Sequence, residues 1–116
     1  MRDYWLYYRL YLVDIIQEMD RAEAFVENMD FVDFQGDDKT ASAAVRKLEI
    51  ISEATRRIPA EIRRKYPKLP WGEMAGMRDR LIHAYFGVDH RLVWRTITQR
   101  IPRVKRLLKE ILESKP

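Results

Sequence analysis

Apolar residues near the start of the chain recur at steps of three and four: Tyr4, Tyr8, Tyr11, Leu12, Ile15, Ile16, Met19, Ala22, Val26 and Met29. That period predicts one long amphipathic helix. Trp5 and Tyr7 lie off this stripe and are assigned to a dimer or partner surface. The stretch Asp33 to Asp38, which contains Gly36, reads as a polar break, with Asp37 or Asp38 as the cap of a second helix over about 39–57. Ala44, Leu48, Ile51 and Ile58 form that helix's core stripe, and Ala41, Ala43 and Ala44 permit close approach to a neighbour. Pro59 suits the first turn of a short helix ending near Lys65, and Pro67 and Pro70 force a fresh start near Trp71. From there Met74, Met77, Leu81 and Ile82 keep helical spacing, predicting a helix that runs to Gly87. Asp89 then caps a last helix striped by Leu92, Val93, Ile97, Ile101, Val104, Leu108 and Ile111, which Pro102 should kink. Four main helices and a short connector, with no sustained period-two alternation, predict an all-α four-helix bundle.

Size makes this one domain over residues 1–116, because 116 residues support a single core. The hydrophobic fraction of 47% with 34% charged residues is that of a folded chain. With no cysteine, disulfides and thiolate chemistry are excluded, and two histidines with carboxylates are a poor basis for a metal site. No metal and no cofactor are expected. The apolar N-terminus is interrupted by Asp3, Arg9 and Asp14 and lacks a cleavage signal, so no membrane association and a cytoplasmic location are expected.

Charge changes the picture more than composition does. Residues 1–40 hold ten acids and four bases, and residues 41–116 hold eight acids and eighteen bases, so a net −6 is followed by +10. A phosphate-bearing partner is drawn to the second part. Arg56, Arg57, Arg63, Arg64, Lys65 and Lys68 make one basic cluster, and the last helix carries another that includes Arg91, Arg100, Arg103 and Lys105. Solvated helix faces explain such clusters equally well.

Candidate chemistry concentrates in Arg78-Asp-Arg-Leu-Ile-His83-Ala-Tyr85. On a regular helix Arg78 and Tyr85 fall on one line, and Asp79 sits one turn before His83, where a carboxylate would orient the imidazole. Arg80 is a weaker candidate for substrate binding. Arg78 and His83, five apart, diverge by about 140° on a regular helix and do not share a face. Either the helix loosens before Gly87, or a site combines residues from two copies across a two-fold axis, the option favoured here. His90, beside the Asp89 cap, is expected to be an exposed loop residue. Spacing alone also fits a packed His and Tyr without chemistry.

The string Gly76-Met-Arg-Asp-Arg-Leu-Ile-His-Ala-Tyr-Phe-Gly-Val-Asp89 closely resembles the signature of HepT-like proteins of the HEPN superfamily. The resemblance extends to Ala44-Val-Arg-Lys-Leu-Glu-Ile-Ile-Ser-Glu-Ala54, Leu69-Pro-Trp71 and Leu92-Val-Trp94. It implies a helical-bundle homodimer in which two Arg-x-x-x-x-His motifs meet in a cleft, and a metal-independent endoribonuclease toxin with Arg78 and His83 as catalytic residues. Asp79 matches a usually polar supporting position. Tyr85 matches a tyrosine that, in some members, a minimal nucleotidyltransferase antitoxin adenylylates to silence the toxin. Ser52 departs from the commoner glycine. The alternative is a non-catalytic HEPN module that binds a nucleotidyltransferase partner or nucleotide. A generic nucleic-acid-binding helical domain is the weakest reading.

Overall fold

The computed structural model describes residues 2–83 and 87–114, with side chains from Trp5 onward and excluding that of His83. Helix α1 spans Arg2–Phe25, as its apolar spacing requires, and buries Leu12, Ile15, Met19 and Ala22. It stops short of Met29, because Asn28 takes a left-handed φ of 66°, a conformation asparagine tolerates better than most residues.

The segment read as a polar break is itself partly helical. Helix α2, Phe31–Gln35, is started by a reciprocal cap in which the Asp33 N–H donates to Asp30 at 2.8 Å and the Asp30 N–H donates to Asp33. Its purpose in packing is plain: Phe34 is fully buried, with its ring 5.4 Å from that of Trp94. One aromatic inside an acidic stretch is too little periodicity to announce a helix.

Helix α3, Asp38–Arg56, begins at the Asp37 cap, whose carboxylate accepts from Thr40 N–H at 3.0 Å and from the Thr40 hydroxyl. Those bonds favour the ionised acid and lower the Asp37 pKa. Helix α4, Ala60–Lys65, follows Pro59, and helix α5, Trp71–Leu81, follows Pro70. Two short strands, β1 (Ile82–His83) and β2 (Gly87–Val88), pair antiparallel, with Ile82 opposite Val88 and His83 opposite Gly87. Helix α6, His90–Arg95, starts at the Asp89 cap and continues through a π-helical turn, Thr96–Arg100, into α7, Ile101–Glu113.

Where a kink was expected, a π turn precedes Pro102. Pro102 has no N–H to donate, and just before it the Ile101 N–H reaches back to the Thr96 carbonyl, five residues away. Helices α1, α3, α5 and the α6–α7 rod make an all-α bundle, whose fully buried centre includes Leu12, Ile15, Leu48, Ile51, Val93, Ile97 and Leu108. Among the described residues no helix is long and apolar enough to cross a membrane.

Two side chains change role. Trp5 is buried, its ring 6.2 Å from that of Tyr66, so it belongs to the core and not to a partner surface. Tyr7 is exposed, as expected. His90 is half-buried as the first residue of α6, 6.1 Å from the Phe34 ring, and is not a free loop residue.

Candidate active site

The motif segment straddles the end of α5. Packing decides where that helix stands: its inner side places Trp71, Met74, Met77 and Leu81 in the core, which turns Arg78, Asp79 and Arg80 outward. Helix α3 then grips it through polar groups. The buried Ser52 hydroxyl donates to the Ala75 carbonyl at 2.5 Å, and Arg56 Nε donates to the same oxygen at 2.9 Å. Ser52 therefore links two helices through a hydroxyl that the commoner glycine lacks.

Arg78 is held on both sides. Its Nε donates to the Glu49 carboxylate at 3.2 Å, and its Nη1 lies 3.8 Å from Asp79. Asp79 is also 3.8 Å from Arg56. The Arg78 side chain remains 52% exposed, so part of the guanidinium still faces solvent. Arg80 points along the opposite flank, where it donates to the Glu73 carbonyl.

Sequence reasoning missed Glu49 and assigned Arg56 only to a basic cluster. A signal was present, since Glu49, Ser52 and Arg56 are three and four apart and share one face of α3. Other bases of the expected phosphate-binding clusters are already committed. Arg63 donates to the Ile58 and Thr55 carbonyls, Arg91 lies over the Phe31 ring at 4.3 Å, and Lys105 bonds Asp20 and Glu23. Burial alone would lower the Lys105 pKa, and the two carboxylates outweigh it to raise the value.

The expected helix to Gly87 does not form. Ile82 is extended, at φ −120° and ψ 121°, and the Leu81 carbonyl accepts from Asp89 N–H at 3.0 Å. Gly87 makes the return possible with φ +80°, a value that disfavours other residues. Leu-Ile-His-Ala-Tyr has no helix breaker, so local propensity pointed to a helix and tertiary pairing overrode it. The geometric premises change with it. Asp79 and His83 are no longer one turn apart on a helix, and the 140° mismatch no longer argues for two copies. The backbone of His83 lies in β1, its side chain is outside the described residues, and so is all of Tyr85.

Comparison with known proteins agrees with the motif. A family model described as ribonuclease HepT-like matches residues 15–111. A protein of Thermococcus cleftensis named probable ribonuclease HepT is 50% identical over 95 residues, covering 82% of this chain and 86% of the relative. A candidate RNase of Caldanaerobacter subterraneus subsp. tengcongensis is 47% identical over 106 residues, covering 91% and 95%. A candidate RNase of Methanocaldococcus jannaschii is 44% identical over 106 residues, covering 91% and 88%. No solved structure matches the chain.

Proposed function

Because the chain belongs to the ribonuclease HepT-like family, we propose that it is the toxin of a toxin–antitoxin pair, a metal-independent endoribonuclease that acts as a homodimer. The observation that carries this reading is the placement of Arg78. It is fixed by Glu49 at the end of α5, half-exposed, on the helix that hands the chain directly to the strand bearing His83.

In the proposed reaction the 2′-oxygen of one ribose attacks the adjacent phosphorus while one His83 accepts the 2′-hydroxyl proton. The bond from phosphorus to the 5′-oxygen breaks, and His83 of a second copy of the chain protonates that oxygen. Arg78 stabilises the negative charge that builds on phosphorus between the two events. The products are a 2′,3′-cyclic phosphate and a 5′-hydroxyl. Asp79 supports the site by flanking Arg78, and Arg80 contributes to substrate binding. A minimal nucleotidyltransferase antitoxin silences the toxin by adenylylating Tyr85.

Incubation of purified protein with single-stranded RNA and excess chelator tests the reading. Cleavage with cyclic-phosphate ends is expected, falling by about 10² or more in His83→Ala and Arg78→Ala. Cleavage that requires added divalent metal, or full activity in His83→Ala, overturns it. A Tyr85→Phe toxin is expected to escape silencing by the antitoxin in cells.

A further inference from the structure

A second feature of the bundle lies beside the motif on the opposite flank of α5 from Arg78. It is an apolar cleft with a cavity of about 50 Å³. Met74, Met77 and Leu81 of α5, Met19 of α1, and Ile101 and Val104 of α7 form its floor. Its rim carries Arg80, Arg100 and Arg103. Glu73 is the one acid among the lining residues and is 3.4 Å from Arg100. Arg103 has no ion pair or hydrogen bond among the described residues. The mouth therefore has an excess of positive charge over an apolar interior.

We propose that this cleft receives one nucleobase of an RNA strand, with the arginines on its rim taking the phosphates that flank that nucleotide. The inference rests on the ribonuclease reading above and extends it to where the strand lies. Three independent features support it. The pairing of an apolar slot with a cationic rim is the complement of a nucleotide, which is a flat ring tied to an anion. The volume is about three to five times what a single water requires, enough to admit the edge of a ring and too apolar to hold water well. Three of the lining residues are methionines, whose unbranched side chains readjust around an inserted group and make favourable contacts with aromatic rings.

The backbone adds a further feature. The π turn at Thr96–Arg100 contributes Thr96 and Arg100 to the cleft, and π turns within helices occur frequently at functional sites. Leu81, on the floor, is also the last residue of α5 before the strand of His83. A base held there leaves its neighbouring phosphates within the motif's own neighbourhood, so the cleft would set the register of the RNA relative to Arg78 and His83.

Methyl NMR of the full chain labelled at methionine tests the slot without requiring cleavage. The probes are 2′-O-methyl RNA trinucleotides, which cannot undergo 2′-hydroxyl attack, carrying A, C, G or U at the centre, with an abasic trinucleotide and free nucleoside monophosphates as controls. At least one base-bearing trinucleotide is expected to shift the Met74 and Met77 methyl signals while leaving Met29 unmoved, and the abasic strand is expected to leave all three in place. Arg103→Glu is expected to weaken binding about tenfold without altering the spectrum of the free protein. Equal shifts with the abasic strand, saturation with no shift at Met74 and Met77, or no binding at all overturns the proposal. So does a free monophosphate that binds more tightly than any trinucleotide. If RNA is cleaved while these methyls stay silent, the slot fails and the ribonuclease reading stands. If the methyls respond in a protein that cleaves nothing, the slot stands and that reading fails.

Discussion

Arg78 Nε donates to the Glu49 carboxylate across the seam between α5 and α3, at 3.2 Å. The pair is too exposed to matter much for folding, since surface ion pairs contribute about 1 kcal/mol or less. Its effect is on orientation: with Nε engaged, the guanidinium loses rotamer freedom and offers its solvent-facing part to a phosphate. Glu49→Gln keeps the shape and removes the charge that aims Arg78. RNA cleavage by this variant is expected to fall several-fold, with the thermal midpoint nearly unchanged. Steady-state kinetics beside a melting curve checks this, and unchanged kcat/KM would remove Glu49 from the site.

Ser52 ties the same two helices from inside. Its hydroxyl is buried, and the Ala75 carbonyl it bonds also accepts from Arg56, so removing the hydroxyl does not leave that oxygen unpartnered. Ser52→Ala should therefore cost about 1 kcal/mol, the net value of one hydrogen bond. Ser52→Gly should cost roughly a further 0.5–1 kcal/mol, because glycine in a helix interior loses more backbone entropy on folding. Urea unfolding of both variants gives the difference directly, and a glycine variant as stable as the alanine variant contradicts this account.

What the sequence disclosed and concealed follows from the range of the forces involved. The buried stripe of α1, the Asp37 and Asp89 caps and the proline-set starts of α4 and α5 depend on neighbours within a turn or so, and each was legible. The end of α5 was not. It depends on the Leu81 carbonyl meeting Asp89 N–H and on Gly87 adopting a positive φ, a pairing between segments that no local propensity encodes. The same holds for the Glu49–Arg78 pair, whose members lie on different helices. Arg78, Asp79 and Arg80 lie on the helix that the spacing from Trp71 predicts, whereas the relation of Arg78 to His83 was argued from a helix that does not extend that far.

Phe34 is the side chain that makes α2 more than a linker. It is fully buried and packs against both Trp94 and His90, fastening the loop between α1 and α3 to the start of the α6–α7 rod. Phe34→Ala should cost about 3–5 kcal/mol, the usual loss for a large aromatic removed from a core. Phe34→Leu should recover much of it. Denaturant unfolding measures both, and a loss under about 1 kcal/mol for the alanine variant would show that α2 is only loosely docked.

Two tyrosines of α1, the exposed Tyr7 and the half-buried Tyr11, give a spectroscopic prediction. The Tyr7 and Tyr11 hydroxyls are 3.2 Å apart, and Arg57 reaches Tyr11 as well. The hydrogen bond from Tyr7, followed by that from Arg57, stabilises the Tyr11 phenolate and lowers its pKa, while the bond to Tyr11 raises that of Tyr7. An ultraviolet titration should accordingly show Tyr11 ionising first, below the ordinary tyrosine value near 10, and Tyr7 lagging above it. Tyr11→Phe should delete the early phase and bring Tyr7 back toward the ordinary value, because its acceptor and its charged neighbour both disappear. Arg57→Ala should move the early phase upward without abolishing it, since the first and larger cause is Tyr7. An early phase that survives Tyr11→Phe would place the acidic tyrosine elsewhere in the chain.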